Sequence, residues 1–360
     1  MRILRISTRN FPDIGGPAKQ AYLLSKYCSK NKIKTINIAC KSKGNSFFKS
    51  KKINDNFEIY YLPFQAPKIN AGLITRIIFF LKFIIYGCLK AIKINNRFKI
   101  DLIHAHSPPP SGFIAYILSK IFKIPYIYSI HGLDYPFPFL FDLDINLVAY
   151  NSKKTILMSR KFTNYLKKKF KLKNLCWIPN AVDSSDHFHV TNENDREISI
   201  RNLKLDISLK KDDRIIIYIG YMIFLQKVLG MIDFLAAFQN FLQNIKEKMK
   251  IEKYKLVFIG EGKYADLLKK KIRELNLEEN VIFLGKRDDI KELLAIADLL
   301  ALTSYVEGSP NVILEAMASS VPCLGTNVGE IKNIIHKFNR GELKKTESSN
   351  VKKHFGSNQF

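Results

Sequence analysis

Acidic residues are scarce in this 360-residue chain: 32 Asp and Glu stand against 58 Lys and Arg, a formal net charge of +26 and a pI of about 9.7. Such a balance draws a protein toward anions, whether nucleic acid, acidic lipid or phosphorylated substrates, but a lysine-covered surface gives the same count, so charge alone selects no partner. Cysteines number five (Cys28, Cys40, Cys88, Cys176, Cys323), with no C-x-x-C pair. Their scatter excludes a disulfide framework and a thiolate metal site, and reads as reduced thiols in a cytoplasmic protein. No apolar run reaches the roughly 18–20 residues that a membrane span needs. The most apolar stretch, 72–95, is broken by Arg76, Lys82 and Lys90. The start, "MRILRISTRNFPDIGG", lacks the apolar core and cleavage site of a signal peptide.

What is present is enough apolar residue, 47% of the chain, for packed cores. Its length favours two domains. Short strand-like runs ("RILRIS", "KTINIAC", "DLIHAH", "PYIYSIHG") alternate with helix-like segments up to "LCWIPNAVD". A polar, aperiodic stretch at 184–213 reads as a linker and entry segment. Alternation then restarts with "DRIIIYIGY", "KLVFIGEG", "NVIFLGK" and "DLLALTS". This is the pattern of parallel sheets covered by helices on both faces. It predicts an α/β protein of two Rossmann-like domains facing a central cleft, 1–184 and 185–335, with ligands outside the carboxyl ends of the strands. The remainder, 336–360, is Lys- and Ser-rich and aperiodic, and is expected to be disordered.

Segment 72–95 permits two readings. At about 100° per residue, Arg76, Lys82, Lys90 and Lys93 share roughly one third of a helix circumference. A basic amphipathic helix of this kind can lie on an anionic membrane surface; the same pattern suits a helix packed on a sheet with one wet face.

The segment "EGSPNVILEA" carries two carboxylates, Glu307 and Glu315, in an apolar setting. Ser309 reads as a helix N-cap and Pro310 as the first helical residue. Glu307 then precedes the helix and Glu315 sits in its second turn, on the order of 10 Å away. The free amides between them would favour a diphosphate. A Glu in so apolar a helix is costly without hydrogen bonds, which two vicinal ribose hydroxyls would supply. A solvent stripe for Glu315 and an ordinary loop for Glu307 is the alternative.

"EGSPNVILEAMASSVPCLGTNVGE" resembles the E-x(7)-E signature of family-4 retaining glycosyltransferases of GT-B fold. Further blocks resemble that family in the same order from about residue 3 to 335: "PDIGGPAKQ", "DLIHAHSPPPSGFIAYILSKIFKIPYIYSIHGLD", "WIPNAVD", "YIGYMIFLQKVLG", "LVFIGEG" and "VIFLG". The resemblance implies transfer of a sugar from a nucleotide-sugar donor (UDP- or GDP-sugar) to a hydroxyl with retained anomeric configuration. The setting expected is cell-envelope polysaccharide or glycolipid synthesis on a glycan or lipid-linked acceptor, the lipid-linked one suiting the basic first half and the 72–95 helix. It assigns Glu307 to donor-sugar hydroxyls and Glu315 to the ribose. Ser309, Pro310, Asn311 and Val312 fall at the diphosphate, Gly15 and Gly16 in a close-approaching turn, Lys227 at the leaving diphosphate, and His131 near the anomeric carbon. His104 and His106 are expected to pack or hydrogen-bond. No metal or other cofactor is expected, and "DLD" at Asp142–Asp144 only imitates a metal-binding D-x-D. The scattered cysteines and the 72–95 helix lead to an expected location that is cytoplasmic or peripheral at the inner membrane face, and with no recognition motif in the sequence no nucleic-acid partner is expected.

Several positions depart from the family pattern. Tyr221 stands in place of a diphosphate-neutralising Arg, and Val228, Ala181 and Ser320 in place of Gly. Asn333 replaces a frequent Glu, and the last strand and helices of the family are expected to be missing, leaving a shortened second domain. These departures keep open an inactive or partner-dependent GT-B protein, and the shared fold keeps open a nucleotide-sugar 2-epimerase.

Overall fold

The computed structural model describes residues 1–10, 16–41, 50–67, 71–106, 109–131, 138–186, 193–203, 209–245, 250–338 and 341–344. The chain divides into two compact units, Met1–Asn180 and Ala181–Phe360. The division lies four residues before the boundary expected from sequence. Ala181, standing where a hinge glycine was expected, is not among the described residues with positive φ, so it carries no left-handed strain.

The first unit runs β1 (Arg2–Ile6), α1 (Gly16–Lys30), β2 (Lys34–Lys41), β3 (Ser50–Asn54), β4 (Phe57–Gln65), α2 (Leu73–Phe98) and β5 (Leu102–His106). It continues through α3 (Ser111–Phe122), β6 (Tyr126–Ile130), α4 (Pro138–Leu143), β7 (Lys154–Leu157), α5 (Arg160–Phe170) and β8 (Leu175–Trp177). A π-helical turn, Asp144–Ala149, follows α4 directly. The sheet order is β3-β4-β2-β1-β5-β6-β7-β8, parallel except for β3 against β4. Short Ile- and Leu-rich strands are buried along nearly their whole length, as parallel strands covered on both faces must be. Strand order reverses between β1 and β5, which places the crevice of this sheet at their carboxyl ends.

The second unit contains α6 (Glu193–Asn202), β9 (Arg214–Ile219), α7 (Leu225–Ile245), β10 (Tyr254–Ile259), α8 (Ala265–Glu274), β11 (Val281–Gly285) and α9 (Ile290–Ala295). β12 (Leu299–Leu302), α10 (Asn311–Ala318), β13 (Cys323–Thr326), α11 (Ile331–Phe338) and β14 (Gly341–Lys344) complete it. Its sheet is parallel in the order β11-β10-β9-β12-β13-β14 and reverses between β9 and β12. Ile215, Ile217, Leu256, Phe258 and Leu300 form the middle of its core.

Two expectations need correction here. The supposed linker at 184–213 contains helix α6, which has no apolar stripe. Buried Ile200 and, just beyond the helix, Leu203 join the core, and a bidentate pair ties the helix further: Arg196 donates to both carboxylate oxygens of Asp298, at 2.8 and 3.2 Å, and Asp298 also accepts the Ile215 amide. The segment after Ile335 is not wholly aperiodic. α11 continues to Phe338, and β14 pairs in parallel with β13, giving partners to backbone groups that the bare β13 edge would leave open. Residues 345–360 lie outside the described set. Ser320, in place of the family's Gly, does hold a left-handed backbone (φ 58°), a conformation that costs a non-glycine residue roughly 1–2 kcal/mol. Val228 is fully buried in α7, where helical geometry makes no demand for glycine.

Candidate active site

The second unit's site is built on loops at the carboxyl ends of β9, β10, β12 and β13. Two loops are held at backbone contact. A Cβ at Gly262 would stand 2.3 Å from the Met222 carbonyl carbon, so the loop after β10 seats directly on the loop after β9. At Gly329 (φ 55°) a Cβ would lie 2.2 Å from the Glu307 carbonyl oxygen. Beside it, the Glu330 amide donates to the Gly308 carbonyl at 2.8 Å. The Glu307 loop is thus gripped by the turn after β13.

Lys227 sits in the first turn of α7, directly after the β9 loop, and Glu307 in the loop after β12. Their side chains meet, Lys227 Nζ to Glu307 Oε1 at 2.9 Å, with the Glu307 side chain 8% and the Lys227 side chain 28% exposed. The pair therefore straddles the point where strand order reverses, the place at which open α/β sheets bind ligands. Near it, Tyr218 accepts the Thr303 amide, and Thr303 Oγ1 donates to the Gly230 carbonyl at 2.7 Å. Gly230 has room for no side chain: a Cβ would stand 2.0 Å from the Thr303 carbonyl oxygen. These contacts fix α7, and with it Lys227, against the end of β12.

α10 begins one residue later than the sequence suggests. Pro310 is the N-cap in extended conformation (φ −72°, ψ 118°), no side chain caps the helix, and Asn311 is the first helical residue. Pro310 contributes no N–H, so the first-turn amides of the helix are those of Asn311, Val312 and Ile313. Glu315 is buried in the second turn at 4% exposure, on the same short helix as the fully buried Ile313 and Ala316, so the solvent-stripe alternative fails. Tyr221 lies half-buried in the loop after β9. Asn333 donates to Glu330 Oε2 at 2.8 Å.

In the first unit a polar seam crosses the sheet at the ends of β1, β5 and β6. Arg5 and His104 are register partners, and the guanidinium donates to His104 Nδ1 at 3.4 Å and to the Ser25 hydroxyl. With Nδ1 accepting, neutral His104 carries its proton on Nε2, which donates to the Ser129 hydroxyl at 2.8 Å. His106 Nδ1 and His131 Nε2 lie 2.9 Å apart and share one proton. Sequence reading missed Arg5, Ser25 and Ser129, although an arginine inside "RILRIS" was the available signal. Gly16 opens α1; Gly15 and the rest of that turn lie outside the described residues. The carboxylates of "DLD" are separated in role. Asp144 is buried and accepts from the Tyr128 hydroxyl at 2.7 Å, while exposed Asp142 pairs with Lys169. Among the described residues no group of three or more His, Cys, Asp or Glu could hold a metal ion.

Burial pushes His131 down to about 4. His104 and His106 fall well below the ordinary value, through burial first, and at His104 next through the Arg5 guanidinium. All three imidazoles are neutral near pH 7, whereas in the unfolded chain they take up protons below about pH 6.5. Stability is therefore expected to be level above about pH 6.5 and to fall as pH drops from there toward 4. Carboxylates remain largely ionised above about pH 5, so the slope between 6.5 and 5 in urea unfolding reports the histidines. A flat curve there would contradict their neutral burial.

Two parallel-sheet units, each with its strand order reversing at a ligand crevice, make up a fold of the GT-B class. The model described as "Glycosyltransferase Family 4" matches residues 14–186, and "Glycosyl transferases group 1" matches residues 200–353. The chain belongs with these glycosyltransferases. It is 24% identical over 348 residues to N-acetyl-alpha-D-glucosaminyl L-malate synthase of Bacillus anthracis, covering 94% of this chain and 83% of the relative. It is 23% identical over 310 residues to an Escherichia coli UDP-Gal:alpha-D-GlcNAc-diphosphoundecaprenol alpha-1,3-galactosyltransferase, covering 81% of this chain and 71% of the relative. Among solved structures, Anabaena HepE in complex with UDP superposes with a TM-score of 0.68 at 18% identity, covering 98% of this chain and 89% of that one.

Proposed function

We propose that the chain transfers a glycosyl group from a UDP- or GDP-sugar to a hydroxyl acceptor with retention of anomeric configuration, in cell-envelope glycan synthesis. The observation that carries this reading is the Lys227–Glu307 pair, set at the strand-order reversal with a buried Glu315 on the helix that follows Glu307. In this reading the ribose hydroxyls donate to Glu315 and the amides of Asn311 and Val312 meet the diphosphate. Glu307 releases Lys227 to the phosphate and accepts from hydroxyls of the sugar. The bond from the anomeric carbon to the diphosphate oxygen breaks as the acceptor oxygen bonds to the same face. The acceptor's proton passes to the leaving diphosphate, and Lys227 stabilises the charge growing there. Gly15, Gly16, Ser309 and His131 keep the roles that the family resemblance implies, and no metal is required.

The E. coli relative's name includes a diphosphoundecaprenol acceptor, which supports a lipid-linked acceptor and a peripheral position at the inner face of the membrane; the B. anthracis relative's name includes malate, a small soluble one. Tyr221, which has no charge to offer the diphosphate, favours a second reading: a protein that binds the donor and turns it over poorly, or not at all.

Thermal unfolding with UDP-, GDP- and ADP-sugars tests the reading. A donor at 100 times its Kd should add about 2.7 kcal/mol of stability. Glu315→Gln should weaken that donor's binding at least about tenfold, through loss of a charged acceptor for two hydroxyls. No response to any nucleotide sugar would overturn the proposal, and unchanged affinity in the variant would overturn the ribose assignment. Donor binding without transfer to isolated membranes or soluble hydroxy acids would favour the second reading.

A further inference from the structure

Helix α2 is pinned by one face and turns a second, equally apolar face to solvent. Phe83, Gly87, Ala91 and Ile94 are its buried residues. Gly87 brings it so close to α3 that a Cβ would stand 2.4 Å from Ile114 Cδ1, which fixes the rotation of the helix. On the opposite side Ile74, Ile78, Leu81, Ile85 and Leu89 are each between 47% and 74% exposed. At 100° per residue these five fall within an arc of about 80°, centred almost diametrically away from the buried face, and they extend about 22 Å along the axis. A helix that covers a sheet ordinarily presents polar residues there. The packed-helix reading of 72–95 accounts for the inner face only.

Charge identifies what fits the outer face. α2 contains Arg76, Lys82, Lys90, Lys93 and Arg97 and no acidic residue. Exposed Lys82 and Lys93 lie along one flank of the apolar stripe, while Lys90 is turned onto the Tyr60 ring and Arg97 onto Phe98. Residues 1–180 hold 31 of the 58 Lys and Arg but only seven of the 32 Asp and Glu, so +24 of the net +26 charge lies in the unit that carries α2. A second copy of this chain would bring the same positive unit against itself. Among the described residues no helix is long and apolar enough to cross a membrane, so the stripe suits lying in a bilayer surface, not spanning it.

We infer that the outward face of α2 docks the first unit onto an anionic lipid bilayer, with Ile74, Ile78, Leu81, Ile85 and Leu89 entering the headgroup–acyl boundary and Lys82 and Lys93 meeting lipid phosphates. The inference deepens the envelope reading, since a lipid-linked acceptor would be met at that surface. The test uses neither donor nor acceptor, so either proposal can fail alone.

The test is flotation of the full chain with vesicles of phosphatidylcholine, with and without phosphatidylglycerol. Binding to the anionic vesicles is expected to be at least about tenfold stronger. It should weaken several-fold at about 1 M salt, where the Debye length shrinks to about 3 Å. The combined Ile78→Gln, Leu81→Gln, Ile85→Gln variant should lose binding at least about tenfold while keeping the parent's melting temperature. Lys82→Glu with Lys93→Glu should abolish the preference for anionic lipid. The inference is overturned if the full chain does not float, or if the triple variant floats like the parent. It is equally overturned if the stripe only drives self-association, seen as a parent dimer that the triple variant converts to monomer without any vesicle binding.

Discussion

Lys227→Ala is expected to lower kcat by about 10²–10³-fold, the usual cost of removing one fixed group that stabilises charge developing in a transition state. The structure adds a second consequence. The Glu307 side chain is 8% exposed and has the Lys227 ammonium at 2.9 Å, so the variant leaves a nearly buried carboxylate without this cation. That should destabilise the ligand-free protein by about 1–3 kcal/mol, discounted from a fully buried pair because the lysine itself is partly exposed. The two effects are separable. Adding Glu307→Gln to Lys227→Ala removes the orphaned charge and should restore much of the melting temperature, while turnover stays low. Turnover is read as nucleotide released in the presence of acceptor, and stability from urea unfolding. A single variant that loses stability but transfers sugar at the parental rate would make the lysine a structural partner of Glu307 and nothing more.

The elements of this site differ in how they could be read from the sequence. The helix in "EGSPNVILEA" was legible because its apolar residue types lie in one short segment, although it starts one residue later than they suggest. The Lys227–Glu307 contact was not, since it joins the start of α7 to the loop after β12, which become neighbours only when strand order reverses between β9 and β12. β1 and β5 were legible as strands from their apolar residues, yet Arg5 and His104 gave no sign of facing each other until register was set. α6 escaped because only Ile200 of its residues joins the core, too few for an apolar period, while its tie to Asp298 through Arg196 joins positions distant in sequence. β14 escaped because an open sheet edge selects a strand through its backbone, for which side-chain patterning is no guide. The amphipathic period of 72–95 was visible, but which face the core would take depended on the contact of Gly87 with α3.

Gly329→Ala is expected to cost more than about 3 kcal/mol and to abolish the stabilisation given by donor, although the residue carries no side chain and touches no proposed ligand atom. Gly285→Ala is the internal comparison. Both glycines hold left-handed backbone, φ 55° at Gly329 and 63° at Gly285, so both substitutions bring the roughly 1–2 kcal/mol of strain that an L-residue meets there. They differ in surroundings. Nothing lies within 4 Å of a Cβ at Gly285, whereas at Gly329 it would stand 2.2 Å from the Glu307 carbonyl oxygen and 2.5 Å from that of Gly308. Those are backbone atoms and cannot rotate aside. The turn after β13 must move off the Glu307 loop, taking with it the 2.8 Å bond from the Glu330 amide to Gly308. The Glu307 carboxylate then loses its position beside Lys227 and α10. Gly285→Ala should therefore lower stability modestly and keep a full response to donor, while Gly329→Ala loses both. Equal losses in the two variants would mean that backbone strain alone matters and that the turn does not hold the Glu307 loop in place.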